Sequence, residues 1–245
     1  MRTLIFSFAI LALPLLSSAQ SFSDIKIGIG LRTHFGGMQV VNHVTEYYNR
    51  NRPWLQDDMG TGTSMTGFEI GLEYSGPTWG WSLAKVHYVW MNKKAGGTSP
   101  SGEDFTRKVR ISQVGVDWLD VWWTPLHIKR FNFGFGIMPA GTATINMSTK
   151  YNGKKTKIAT SHNPGNDYFL GIPLGHVYHV PHVDVTYVGG NGSGLHLQLF
   201  YTIGPSQEYD LAYLNREINP SSYNELNKRT LLEINNFGLK LTCNF

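Results

Sequence analysis

The segment Asn235 to Phe245 constrains this chain most. It places Phe237, Leu239, Leu241, Cys243 and Phe245 on one face and Asn236, Gly238, Lys240, Thr242 and Asn244 on the other, without a break. Side chains of a strand alternate with a period of two, so this is a strand with one apolar and one polar face. It ends the sequence on an aromatic ring, where the edge of a water-soluble sheet would ordinarily be charged or covered.

Seven segments upstream repeat the pattern. Asp24 to Phe35 sets Ile25, Ile27, Ile29 and Leu31 against Lys26, Gly28, Gly30 and Arg32. Thr66 to Ser75 sets Phe68, Ile70, Leu72 and Tyr74 against Gly67, Glu69, Gly71 and Glu73. Trp79 to Met91 opposes Ala84, Val86, Tyr88 and Trp90 to Lys85 and His87. A fourth segment runs from about Arg107 to Leu126, and its change of phase between Ile111 and Val114 predicts a bulge. A fifth opens at Phe131, with Phe133, Phe135 and Ile137 against Asn132, Gly134 and Gly136, and continues to about Met147. The sixth spans Tyr168 to about Val188 across Pro173 and Pro181, which cannot donate ladder hydrogen bonds. Gly194 to Ile203 is the seventh, and the terminal segment is the eighth.

The connections alternate in length. Residues 36–65, 92–106, 150–167 and 204–231 are long, whereas 76–78, 128–130 and 189–193 are short. Long and short joints therefore fall at opposite ends of the strands. The expected architecture is all-β, an eight-stranded antiparallel up-and-down barrel forming one domain over residues 20–245.

Residues 1–19 read as a signal peptide: Arg2, an apolar stretch from Leu4 to Leu16, then Ser17-Ser18-Ala19 before Gln20. The apolar stretch is shorter than the roughly 20 residues a spanning helix needs. Only 16% of residues are charged, against about 25% in soluble domains, and 13% are aromatic. A barrel wall that is apolar outside and polar inside dilutes hydropathy in this way, and the mean hydropathy is −0.21. Cys243 is alone, so the fold cannot depend on an internal disulfide. The formal net charge of +4, without a basic stripe interleaved with aromatics, argues against a nucleic-acid partner.

On its terminal aromatic with apolar residues at every second preceding position, its export signal and its loop alternation, the chain resembles the outer-membrane β-barrel proteins of Gram-negative bacteria. The likeness is to the small porin-family or OmpA/OmpX-like type. It implies a transmembrane barrel in the outer membrane, with both termini periplasmic and the long loops outside. It also implies that Phe237, Leu239, Leu241, Cys243 and Phe245 form the insertion signal for the barrel assembly machinery. Aromatic girdles are expected at Trp79, Trp81, Trp118, Trp122, Trp123, Phe131 and Phe245 on one rim and at Tyr88 and Trp90 on the other.

An eight-stranded barrel has an interior just wide enough for its own side chains. The inward set includes Lys26, Arg32, Glu69, Glu73, Lys85, His87, Asp117 and Lys240. Antiparallel pairing sets Glu69 close to Lys85 and His87, and Glu73 near Lys26. Such charges must pair to offset their desolvation, which predicts a polar plug and not an ion path.

Other constellations carry less chemistry. His176, His179 and His182 are spaced by threes, which splits them between two strand faces, so no metal or other cofactor is expected. Ser161, His162 and Asp167 have the residue types of a hydrolytic triad but share one loop with the turn Asn163-Pro164-Gly165-Asn166. No catalytic residue is assigned to them. Gly28, Gly30, Gly134 and Gly136 precede no helix, so they are small interior positions and not a phosphate cradle. Met38, Val41, Val44 and Tyr48 recur at helical spacing up to Arg52-Pro53, which predicts a short amphipathic helix over the barrel mouth or against the membrane surface.

Lys150, Lys154, Lys155 and Lys157, with Lys93, Lys94, Arg107, Lys108 and Arg110 on the same exterior side, suit the phosphates of lipopolysaccharide. The expected function is a non-catalytic integral outer-membrane protein whose loops serve binding or envelope structure, with the loop ligand left open. The alternatives are an outer-membrane lipid-modifying enzyme of deacylase or acyltransferase type, and a small-solute porin, which the strand count disfavours.

Overall fold

The computed structural model describes residues 25–36, 39–62, 64–160, 168–169, 172–173, 176–189, 193–204, 207–209, 212–220, 230–232 and 235–245. Its strands are β1 (Ile25–Phe35), β2 (Leu55–Asp57), β3 (Met65–Ser75), β4 (Trp79–Thr98), β5 (Asp104–Ile128), β6 (Phe131–Tyr151) and β7 (Lys154–Thr160). They continue with β8 (Tyr168–Phe169), β9 (Ile172–Pro173), β10 (His176–Val188), β11 (Gly194–Thr202), β12 (Gln207–Tyr209), β13 (Thr230–Leu232) and β14 (Asn236–Asn244). Two helices, α1 (Gln39–Arg50) and α2 (Ala212–Ile218), complete the described elements.

The all-β, antiparallel expectation holds. Ten strands form one sheet whose pairing runs β10–β11–β14–β1–β3–β4–β5–β6. It returns from β6 to β10, so the hydrogen bonding closes into a ring. β2 adds to β4 and β7 adds to β6, while β8–β9 and β12–β13 are separate ribbons. The terminal strand is no edge: Asn244 opposes Gly28 of β1 on one side and Gly194 of β11 on the other.

All four stretches expected as long loops are partly strand. β4 reaches Thr98 and β5 begins at Asp104, so only 99–103 connect them. The long-loop expectation at 92–106 missed that Val89, Met91, Lys93 and Ala95 keep alternating inward. β6 likewise continues to Tyr151 and turns at Asn152-Gly153 into β7. Both turn residues have positive φ, 40° and 90°, the geometry that an Asn-Gly hairpin turn takes. The sixth strand is shorter than expected, beginning at His176. The first long loop does contain the expected helix. Its Val41, Val44 and Tyr48 are buried, whereas Met38 lies outside the described residues.

The bulge on β5 also sits elsewhere. Pairing is regular through 111–114, and the register shifts instead between Asp117 and Leu119. Neighbouring strands break phase at the same height: β4 at Ala84, opposite Gly71, and β6 between Ile137 and Gly141. Ala84 has φ 50°, the left-handed region that costs a non-glycine residue. The breaks let residues three apart share the interior, so Ser82 and Lys85 are both buried, as are Asp117 and Asp120.

Apolar packing closes one end of the ring. Val41, Val44 and Tyr48 of α1 join Leu214 and Ile218 of α2 over Met65, Val89, Met91, Val109, Ile111, Ile145 and Met147. Arg52 fastens the two helices, stacking over the Tyr48 ring at 3.9 Å and donating to the Ile218 carbonyl at 3.0 Å. Lys93 holds the same cap from the strand side, donating to Asn42 Oδ1 at 2.8 Å and to the Gly60 carbonyl.

The aromatic girdle needs correction. Trp122 is buried inside the ring against Gly80, and Trp81 is buried while stacking on Tyr74. Trp118 is half-buried and donates to Thr142. Trp123, Phe131 and Phe245 remain exposed at that end, and Tyr88 stacks on Trp90 toward the other. The bulge explains the error, because it reverses which face positions 120 to 124 occupy.

Ala84→Pro, whose ring fixes φ near −65°, cannot keep this left-handed backbone and should therefore abolish the folded form. Ala84→Gly relaxes the left-handed backbone, worth about 1 kcal/mol, and should melt at least as high as wild type in detergent. A proline variant that folds normally would contradict this account of the bulge.

Candidate functional site: a buried charge network

Every strand of the ring except β6 sends polar or charged side chains into one interior network. β6 contributes close approaches instead. A Cβ on Gly136 would lie 2.4 Å from the His182 ring, and one on Gly141 would lie 2.4 Å from the Tyr178 ring.

One hub is Asp117. Its Oδ2 accepts from Arg32 NH1 at 2.7 Å and from Lys240 Nζ at 2.9 Å, and its Oδ1 accepts from the Tyr178 hydroxyl at 2.6 Å. Arg32 also donates through Nε to His34 at 2.8 Å and lies 3.7 Å from Glu69. His87 is beside Asp117 at 3.5 Å. Both cations rest against the Phe200 ring, at 5.1 Å for Arg32 and 5.4 Å for Lys240. Phe200 has that place because position 238 is glycine, where a Cβ would stand 1.9 Å from the ring.

The second part is a chain of alternating carboxylates and imidazoles. Lys85 pairs with Glu73 at 3.1 Å and with Glu69 at 3.5 Å. Glu73 Oε1 is 2.8 Å from His196 Nδ1, and His196 Nε2 is 2.8 Å from Asp184 Oδ1. Asp184 Oδ2 is 2.8 Å from His182 Nδ1, and His182 Nε2 is 2.6 Å from Asp120 Oδ1. Gln198, Asn244 and Thr242 donate to Asp120, Glu73 and Glu69 respectively.

The chain fixes the protons. Each of these two imidazoles has a carboxylate oxygen at both ring nitrogens, and a carboxylate only accepts. With the facing carboxylates ionised, both nitrogens of His182 and of His196 donate, and each ring is an imidazolium. The charge count agrees: Arg32, Lys85 and Lys240 face the five carboxylates Glu69, Glu73, Asp117, Asp120 and Asp184, and two imidazolium rings make up the difference.

The residues named from sequence are distributed as follows. Arg32, Glu69, Glu73, Lys85, His87, Asp117 and Lys240 meet in this network. Glu69 opposes His87 in register and reaches Lys85. Lys26 does not join. It opposes Glu73 in register but is half-buried at the ring mouth, and Lys85, deeper on β4, takes the Glu73 carboxylate. Phe237, Leu239 and Phe245 are exposed, with Leu241 and Cys243 half-buried on the same outer face. Lys150, Lys154, Lys155 and Lys157 are all exposed.

Asp120, Tyr178, His182, Asp184, His196 and Gln198 were missed. The strict alternation of Tyr178, Val180, His182 and Asp184 carried the signal for β10. Counting its histidines by threes concealed it, and Asp120 was hidden by the bulge. His179 points outward to the Pro139 carbonyl, so it does not converge with His182. Ser161, His162 and Asp167 lie outside the described residues. Among those described, no three His, Cys, Asp or Glu side chains are arranged to hold a metal ion.

Removing one partner from a buried charge cluster typically costs about 3–5 kcal/mol, because the remaining charge is stranded. Asp117→Asn should cost that order, since Arg32 and Lys240 both lose their carboxylate. Lys26→Gln at the mouth should change stability by no more than about 0.5 kcal/mol. Reversible urea unfolding of the two variants in lipid vesicles measures the contrast, and equal stabilities would contradict the network. Against known proteins, the sequence matches no family model and has no significant match among curated proteins.

Proposed function

We propose that the closed sheet is an eight-stranded up-and-down transmembrane β-barrel of the bacterial outer membrane, and that it anchors a surface extension without catalysing a reaction or conducting solutes. The observation that carries this reading is the inverted polarity of the ring. Outward positions hold Ile27, Ile29, Leu31, Phe68, Ile70, Leu72, Leu199 and Phe237, all exposed. Inward positions hold Arg32, Glu69, Lys85, Asp117, His196 and Lys240, none more than 1% exposed. Water disfavours so wide an apolar band, whereas hydrocarbon accepts it and forbids open strand edges.

Closure of the pairing supports the same reading, since a barrel leaves no unpaired backbone in the wall. Ile25 and Asn244 lie at the end of the short turns, which becomes the periplasmic side. The cap of α1 and α2 then covers the exterior mouth. Among the described residues, a buried polar network below and a buried apolar cap above fill the interior, which supports a closed anchor over a porin.

The chain should fractionate with the outer membrane, and unboiled and boiled samples should migrate differently in a detergent gel. Recovery as a soluble periplasmic protein, or identical migration, would end this reading.

A further inference from the structure

Four lysines on adjacent strands stand side by side. The register pairs Lys94 of β4 with Lys108 of β5, Lys108 with Lys150 of β6, and Lys150 with Lys155 of β7. All four are exposed on the outer face, while Lys93, Ala95, Val109 and Thr149 beside them are buried behind it. Neighbouring strands lie about 4.8 Å apart, so four positive charges occupy a row of about 14 Å. In the next row toward the ring, Ser148 opposes both Arg110 and Lys157, adding two more cations. Among the described residues no carboxylate pairs with any of the six. Among the described residues, acids border the face at its edges, where Asp57 opposes Gly96 and Asp104 opposes Thr98.

Like charges directly opposite one another destabilise a sheet. A row of four, repeated across three strand pairs, is therefore held against its own repulsion and is relieved by an anion supplied from outside. Its height on the fold points to the source. Arg110 donates to the Tyr88 hydroxyl at 2.9 Å and lies 5.7 Å over the Trp90 ring. Those stacked, half-buried rings lie on the outer face toward this end, the kind of pair that settles at a membrane interface. The lysine row begins about four residues farther along β4, or roughly 13 Å.

We propose that this outer face of β4 to β7 binds the phosphate groups of outer-leaflet glycolipids, with Lys94, Lys108, Lys150 and Lys155 as the principal row. The proposal rests on the transmembrane reading above. Lysine suits this occupant: its ammonium is a compact point charge that meets phosphates from many directions, where arginine imposes one planar fork. A fluid lipid shell presents its phosphates in that variable way.

The test titrates the full chain, in detergent micelles, with a bis-phosphorylated glucosamine-based glycolipid and with the same lipid dephosphorylated. Bound lipid is counted by native mass spectrometry. Wild type should bind the phosphorylated lipid about tenfold or more tightly than the other, a preference that weakens with salt. The combined variant Lys94→Gln, Lys108→Gln, Lys150→Gln and Lys155→Gln should lose most of that preference and remain heat-modifiable. Should the combined variant fail to refold, Lys108→Gln alone, at the centre of the row, should lower the preference measurably. Equal binding of both lipids by wild type, or an unchanged preference in the variants, overturns the site. Displacement by millimolar inorganic phosphate overturns it too, because the site would then take a free anion. The gel shift of the same samples reports the barrel separately, so loss of lipid preference with an intact shift defeats this inference and leaves the barrel standing.

Discussion

Five carboxylates, three permanent cations and the carboxylate-paired histidines His182 and His196 share an interior from which water is almost excluded, and the fold depends on their balance. Isolated charges in such a place would cost several kcal/mol each. They survive because each is paired with a neighbour of opposite sign, across every strand of the ring but β6. Lys240 on the last strand, Arg32 on the first, Asp117 on β5 and Tyr178 on β10 meet at one carboxylate. That contact ties together elements more than 100 residues apart in sequence. The interior network thus does for this ring what an apolar core does for most folded domains, by fixing which strands are neighbours and in what register.

Geometry makes room for it. Rings of His182, Tyr178 and Phe200 occupy space that side chains at Gly136, Gly141 and Gly238 would fill. Phase breaks on β4, β5 and β6 point Lys85, Asp117 and Asp120 at their partners. Beyond the network the character of the interior changes, and the same strands carry Val89, Met91, Val109, Ile111, Ile145 and Met147 up to the helices. The long strands β4, β5 and β6 continue past the rest of the ring and form the face on which the lysine row is displayed.

Much of this was legible in the sequence, because a period of two is hard to disguise over nine or more residues. β1, β3, β11 and β14 alternate without interruption, and their expected bounds agree with the structure to within one or two residues. The pairing of Glu69 with Lys85 followed from the tight turn at 76–78 alone. Much of what failed has one cause, an extra residue in a strand. A bulge leaves composition and spacing almost unchanged while reversing the inside and outside of everything beyond it. Trp122 was therefore assigned to the outer surface and Asp120 was overlooked. Lys26 was misjudged for a different reason: register identifies a neighbour but not whether water reaches the side chain at the ring mouth. Asn152-Gly153 was an available hairpin signal that the run of lysines around it obscured.

The central claim is that the ring is membrane-spanning yet filled. Electrical recording of the purified protein in planar lipid bilayers tests it most directly. The account predicts insertion without stable conductance steps, because paired charges and the α1–α2 cap fill the interior. Regular open-channel currents from the wild-type protein would contradict it.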